Sequence, residues 1–220
     1  MIIKIADITF NVINGGAELE KYISPFKCEN CAKAEFEIVL DKSLNFMQNR
    51  SVMAIAITEK LIGKNVLRIH ASSICYKDKA IMFLAPSGTG KSTHASLWNK
   101  YAGAEYINDD QPYLNMDTLM VYGSMVSGKH NRFSLKQAKL YSLVFISQAE
   151  QNSIKKLTKL EAVKYLYKQM VHYIDLSDRQ KQLECLDILS NLPVYLLECN
   201  VSYEAFLTCY KGVFNKDYEN

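Results

Sequence analysis

Apolar positions recur with two periods along this chain. Period-two alternation predicts strands over residues 1–13 and 34–40, the second carried by Phe36, Ile38 and Leu40. Gly15-Gly16 breaks the first, and a short helix over 17–23 ends before Pro25. Helical spacing returns over 49–62, with Met53, Ile55, Ala56 and Ile62 apolar and Gly63 as the stop. Two apolar runs, 66–75 and 79–85, separated by Tyr76-Lys77-Asp78, read as a hairpin-like pair of strands. A helix over 92–101, a strand over 104–108 and a hairpin over 113–125 around Asp117 follow, then a buried strand over 140–147 rich in β-formers. Thr158 and Glu161 form a capping-box pattern ahead of a helix marked by Leu160, Val163, Leu166 and Met170. A helix over 178–189, a strand over 194–199 and a helix over 202–214 close the chain. Hairpins and crossovers together predict a mixed α/β fold and argue against a purely parallel sheet.

Composition narrows the class. The 220 residues carry 26 Lys and Arg against 23 Asp and Glu, a formal charge of +3, with 49% hydrophobic and 22% charged residues. That is globular composition, and it gives no case for nucleic acid. Apolar stretches such as 80–85 and 140–147 fall short of the roughly 18 residues that span a bilayer. With Lys4 and Asp7 inside its first apolar run and no small-residue cleavage site, the N-terminus does not read as a secretory signal, so a cytoplasmic protein is expected. Cys28 and Cys31 form a lone C-x-x-C with no second pair to complete a zinc site, and the six cysteines are expected to be reduced, structural thiols.

Chemistry concentrates in one segment, Ala85-Pro86-Ser87-Gly88-Thr89-Gly90-Lys91-Ser92-Thr93. Against the phosphate-loop pattern G-x-x-x-x-G-K-[ST] it matches at Gly90, Lys91 and Ser92, and has Ala85 where the first glycine stands. Glycines let successive backbone N–H groups close around an anion, and the following helix N-terminus adds positive partial charge. Lys91 would neutralise β/γ-phosphate charge and Ser92 would take a Mg²⁺ position. The apolar run KAIMFLA before the loop and the helical run after it supply the strand–loop–helix context that the motif requires. Asp109-Asp110 ends the next predicted strand, seventeen positions past Ser92, where two adjacent carboxylates suit a cation or a proton-accepting role, a solvated turn being the alternative. Lys129, His130 and Arg132 lie in a polar loop and are candidate contacts to a phosphoryl group or an acidic substrate, against a solvated basic loop. His94 is a weaker candidate to face the phosphates, and Trp98 reads as helix packing.

Taken together, Ile69-His70-Ala71-Ser72, FLAPSGTGKSTHASLW and Tyr106-Ile107-Asn108-Asp109-Asp110-Gln111-Pro112 resemble the HPr kinase/phosphorylase-like P-loop kinases, which share the S-G-x-G-K-[ST] loop with phosphoenolpyruvate carboxykinases. More narrowly the chain is similar to the short HPr-kinase-related proteins encoded beside ribosomally made peptides, lasso-peptide kinases among them. Ser127-Gly128-Lys129-His130-Asn131 and LPVYLLECN add to the likeness, which spans about residues 66–215. The resemblance implies a catalytic domain over 65–220; the small α+β region over 1–64 that precedes it is a candidate docking part. It implies a Mg²⁺-dependent kinase that passes the terminal phosphoryl group of ATP, or of another donor, to a Ser or Thr hydroxyl of a peptide or protein. By the same resemblance Asp109 corresponds to the proton acceptor, His70 to the histidine that assists it, and Asp110 to the neighbour near the metal, with the two aspartates free to exchange roles. The glycine- and arginine-rich signature of true HPr kinase/phosphorylases is not visible, so HPr as substrate and phosphorylase activity are not carried over. HPr kinases form homo-oligomers, but no residue here identifies an interface. A small-molecule kinase and a non-catalytic nucleotide-binding module are the alternatives.

Overall fold

The computed structural model describes residues 1–126, 132–173 and 179–219, with the side chains of 170–173 and 179 left aside. Two sheets carry a mixed α/β architecture. In the smaller one β1 (Ile2–Ile5) and β2 (Ile8–Ile13) are antiparallel, and β3 (Phe36–Val39) lies parallel to β2. The single strand expected over residues 1–13 is therefore a hairpin. Ala6 and Asp7 both take positive φ, 49° and 65°, the two-residue geometry that matches strand twist. Between β2 and β3 run α1 (Gly16–Ile23), a 3₁₀ turn over Ser24–Phe26 and the C-x-x-C loop. There Cys28 and Cys31 are joined as a disulfide with Cα atoms 5.5 Å apart, which corrects the expectation of reduced thiols at this pair. The C-x-x-C turn brings the two Cα atoms within bridging range. The other four cysteines are free and buried.

Helix α2 (Phe46–Ile62) begins with a complete capping box: Gln48 N–H donates to the Asn45 side chain and Asn45 N–H to the Gln48 side chain, both at 3.0 Å. Asn49, Met53, Ile57 and Leu61 repeat every four residues and form its buried face. That face packs with Ile3, Phe10 and Ile38 against Val66, Tyr113 and Tyr122 of the large sheet and Met125 just after it.

Among the described residues the large sheet has nine strands: β4 (Val66–Arg68), β5 (Ser72–Tyr76), β6 (Lys79–Leu84), β7 (Glu105–Asn108), β8 (Tyr113–Asn115), β9 (Met120–Tyr122), β10 (Gln137–Gln148), β11 (Ser153–Lys156) and β12 (Val194–Cys199). Its main order is β4-β8-β9-β10-β6-β5-β7. The long β10 pairs antiparallel with β9 near its start and parallel with β12 near its end, while β6 runs parallel along it. The apolar run over 66–75 thus splits at residues 69–71, sending β4 to β8 and β5 back onto β6. Strand β11, polar and exposed, pairs with β12 and was not foreseen from the sequence.

Strand β6 is buried on both faces, as a covered central strand must be. Ile81 and Phe83 point to α3 (Lys91–Ala102) and α6 (Tyr203–Phe214), in a cluster with Trp98, Phe206 and Tyr210. Met82 and Leu84 join the opposite cluster, with Leu166 of α4 (Lys159–Tyr173) and Leu186 of α5 (Arg179–Ser190). The capping box expected before α4 is present, with Thr158 N–H donating to Glu161 Oε2 at 2.9 Å. Among the described residues no helix is long and apolar enough to cross a membrane.

Candidate functional site

Topology gathers the predicted residues at one edge of the large sheet. Strand β6 ends at Leu84, where its partner β5 begins (Ser72 opposite Phe83), and Asn108, the last residue of β7, lies opposite Ser73. The phosphate-loop motif after β6, His70 before β5 and Asp109-Asp110 after β7 are therefore neighbours. The ends of β10 and β12 lie at the same edge, Gln148 opposite Cys199.

The loop conformation explains its glycines. Gly88 and Gly90 take φ of 79° and 117°, and a Cβ at either would meet no atom within 4 Å. Glycine is needed for the backbone angle, not for space. Lys91 opens α3 and folds back under the loop, its Nζ donating to Ala85 O at 2.9 Å and Pro86 O at 3.3 Å. It is only 6% exposed, and burial lowers its pKa while the charge of Asp110 opposes that shift. Ala85, in the place of the motif's first glycine, is itself buried and supplies one of these carbonyls. Gln148 Nε2 holds the loop from β10 by donating to Thr89 O at 3.2 Å. Ser87 and Thr93 are exposed at the loop surface.

Main-chain bonds fix the aspartates. Ser92 Oγ donates to Asp109 O at 3.1 Å, tying the helix start to the carboxylate pair. Asp109 N–H donates to Arg132 O at 3.0 Å and Ala71 N–H to Asp110 O at 2.9 Å. The fully buried Asn108, which the sequence reading passed over, shapes the turn: its Oδ1 accepts from the N–H of Asp110 at 2.9 Å and of Gln111 at 2.7 Å, while its Nδ2 donates to Ser124 O.

His70 Nε2 lies 3.4 Å from Asp110 Oδ1. Hydrogen bonding from His70 holds the Asp110 carboxyl below the usual carboxylate range, with Lys91 adding in the same direction and burial opposing. Asp109 is 2% exposed, whereas the Asp110 side chain keeps 28% of its surface. Gln169 Nε2 of α4 donates to His70 O at 2.8 Å, a support with no motif to announce it.

Arg132 is engaged elsewhere. Its Nη1 donates to Ser96 Oγ and to Tyr106 OH, both at 2.8 Å, and its guanidinium lies 5.0 Å from the Tyr106 ring centroid. Lys129 and His130 fall outside the described residues. His94 turns from the phosphate side into the helix–sheet core. It packs edge-on against Phe83 and accepts from Trp98 Nε1 at 3.3 Å, and burial pushes its pKa down to about 3.

Among the described residues no group of three or more His, Cys, Asp and Glu forms a metal cage. The Ser92 hydroxyl, a hard-oxygen group of the kind Mg²⁺ accepts, meets the main-chain oxygen of Asp109 at the aspartate turn. Cavities flank the loop on both sheet faces. One of about 570 Å³ lies toward α3, and one of about 700 Å³, lined by Phe145, Tyr165, Lys168 and Gln169, lies toward α4. Comparison with models of known protein families finds no match to this chain, and comparison with curated proteins finds none either.

Proposed function

We propose that the protein is a Mg²⁺-dependent P-loop phosphotransferase with the HPr kinase-like fold that its motifs resemble, acting on a Ser or Thr hydroxyl of a peptide or protein. The observation that carries this reading is the meeting of Lys91, Ser92 and the His70–Asp110 pair at one sheet edge beside a glycine-shaped loop. The loop amides from Ser87 to Thr93 receive the donor's phosphates, and the Lys91 ammonium exchanges the carbonyls of Ala85 and Pro86 for phosphate oxygens. Ser92, whose hydroxyl bonds the main-chain oxygen of Asp109, and the Asp109 carboxylate would hold Mg²⁺. Bound there, the ion neutralises phosphate charge.

Of the two aspartates we assign proton acceptance to Asp110. Its carboxylate lies 3.4 Å from His70 Nε2 and keeps 28% of its surface reachable, whereas Asp109 is 2% exposed. This exchanges the roles first expected for the pair. His70 orients the Asp110 carboxylate and stabilises its charge, and Asn108 fixes the main chain beneath it. Positioning and charge neutralisation do most of the chemical work in such a loose transition state.

A second reading has its own support. The cavity of about 700 Å³ toward α4 has the size of a small-molecule site, and its Gln169 also holds the His70 carbonyl, so a small hydroxyl compound is the alternative acceptor. The deciding experiment is phosphoryl transfer from labelled Mg-ATP to Ser-containing peptides and to free hydroxyl compounds, wild type against Asp110→Asn. Loss of a general base should slow transfer by about 10²–10⁴-fold. Full turnover by the variant would remove Asp110 from the mechanism, and nucleotide binding without transfer to any acceptor would leave a binding module.

A further inference from the structure

The Cys28–Cys31 bridge closes a loop that the main chain barely holds. Cys28 N–H donates to Ile2 O at 3.0 Å and Glu35 N–H to Thr9 O at 3.1 Å. Between them residues 29–34 form turns and bends, with no main-chain hydrogen bond among the described residues. Just before the bridge, Lys27 pairs with Ile3 across the outer side of β1, and Phe26 is 4% exposed. The Phe26 ring stacks on that of Phe133, with centroids 5.5 Å apart and planes 15° from parallel. Phe133 belongs to a strap over 132–134 along the outer side of β7. It bridges to Asn108, while Ser134 N–H donates to Ile107 O at 3.1 Å and Arg132 O accepts from Asp109 N–H at 3.0 Å. The bridge therefore lies one aromatic stack away from the main chain that holds Asp109.

Accessibility separates this pair from the other cysteines. Cys28 and Cys31 are both half-buried, and Cys28 lines a groove of about 490 Å³ between the end of β1, the loop and Ser134-Leu135. Thiol–disulfide exchange needs such an approach for the attacking thiolate. Cys75, Cys185, Cys199 and Cys209 are buried, and burial raises their pKa, to about 11 for Cys185 and Cys199. Thiols held neutral and out of solvent are inert. A bridge that spans two residues also restrains the unfolded chain little, because that effect grows with the length of the closed loop. The apolar core of the small sheet, with Ile3, Phe10, Ile38, Met53 and Ile57, contains neither cysteine. Opening the bridge therefore leaves the fold standing.

We propose that Cys28–Cys31 is a reversible dithiol–disulfide site whose state passes through the Phe26–Phe133 stack to the strap that holds Asp109. The reductant is a dithiol. Its thiolate attacks one bridge sulfur, the S–S bond breaks, and the other sulfur leaves as a thiolate that takes up the proton the attacking thiol gave up. The reductant's second thiol then resolves the mixed disulfide, so that two electrons and two protons reach the pair and the reductant becomes a disulfide. Reduction frees residues 29–34, loosens Phe26 from Phe133 and slackens the strap. The proposal stands without the phosphate-loop reading; where that reading holds, reduction slows transfer by disordering the aspartate turn.

Amide hydrogen exchange of the full chain without ligand tests it, comparing protein equilibrated with oxidised glutathione and protein held in dithiothreitol. Iodoacetamide labelling after denaturation should count four thiols in the first and six in the second. On reduction the N–H groups of Asp109 and Ser134 should exchange at least about tenfold faster, while the centres of β6 and β10 stay unchanged. The double variant Cys28→Ser, Cys31→Ser should exchange fast under both conditions. Phe133→Leu, which removes the stack and keeps the bridge, should make both amides insensitive to dithiothreitol. Equal exchange in the two states of the wild type overturns the proposal, as does a pair that does not form under oxidised glutathione. Full sensitivity retained by Phe133→Leu overturns the route through the stack, and faster exchange throughout the reduced chain would make the bridge a structural staple instead. None of these rates involves a nucleotide, so they are decided apart from the phosphate-loop reading.

Discussion

Lys91→Met separates what the lysine does for the fold from what it does for a ligand. In the free protein the ammonium is almost fully buried against two carbonyls, and burial lowers its pKa. Methionine keeps the length and apolar stem while removing charge and donors. Stranding the acceptors at Ala85 and Pro86 costs about 1–3 kcal/mol. Removing a desolvated cation returns an amount of the same order. The ligand-free stability should therefore move by no more than about 1 kcal/mol, or roughly 2–4 °C in Tm for a chain of this size. The ligand effect is larger. At a hundredfold excess over Kd, Mg-ATP adds about 2.7 kcal/mol to the wild type, or roughly 5–11 °C. If the substitution weakens binding about a hundredfold, the same concentration only half-saturates the variant and adds about 0.4 kcal/mol, roughly 1 °C. Thermal unfolding with and without Mg-ATP reads both quantities in one experiment. A variant that keeps the full ligand-induced shift would refute the placement of phosphate at this lysine.

Two further perturbations test the packing and the electrostatics. In Gly123→Ala the added Cβ would collide with the main-chain oxygen of Ser134 and lie 2.9 Å from that of Ile107, atoms that cannot rotate away. In Gly212→Ala it meets only the side chain of Ile154, at 2.5 and 2.7 Å. The first should cost about 3 kcal/mol or more and the second about 1–3 kcal/mol, read from urea midpoints; the reverse order would contradict the backbone path beside the site. Glu161 has its carboxyl held down to about 2 by Lys155 and by the N–H and hydroxyl of Thr158. A depressed folded-state pKa means that its contribution is complete above about pH 4.5 and disappears as pH falls through about 2. The stability gap between wild type and Glu161→Gln should therefore narrow steadily across that window, and a gap independent of pH would discount the Lys155 and Thr158 contacts.

Where sequence signals were local and periodic, the fold was legible. The buried runs of β6 and β10, the helix after the phosphate loop and the Thr158/Glu161 capping box are all written in neighbouring residues. Misreadings arose where tertiary context decides. Ala6-Asp7 makes a two-residue turn without the Gly or Asn that normally marks one, so the β1–β2 hairpin looked like a single strand. Strand β11, Ser-Ile-Lys-Lys, has no apolar period because only its pairing to β12 makes it a strand. The Cys28–Cys31 bridge depends on chain geometry that the spacing alone leaves open.

The candidate site divides along the same line. Residues that would touch phosphate form a contiguous motif and could be named in advance; those that hold them in place are scattered amides. Asn108 shapes the aspartate turn, Gln148 holds Thr89 from another strand, and Gln169 reaches His70 across ninety-nine positions of chain. No motif marks such side chains, because any amide at the right point in space serves. The His70 contact follows from this. With Asn108 accepting from the N–H of both Asp110 and Gln111, the chain turns immediately after β7, and this turn sets Asp110 beside the histidine while Asp109 stays buried against the start of α3. The turn is thus what distinguishes two aspartates that look identical in sequence. Releasing it with Asn108→Ala should scramble their order without touching the phosphate loop, giving slower transfer at unchanged nucleotide affinity; equal losses in both would mean that Asn108 supports the whole edge and not the pair alone.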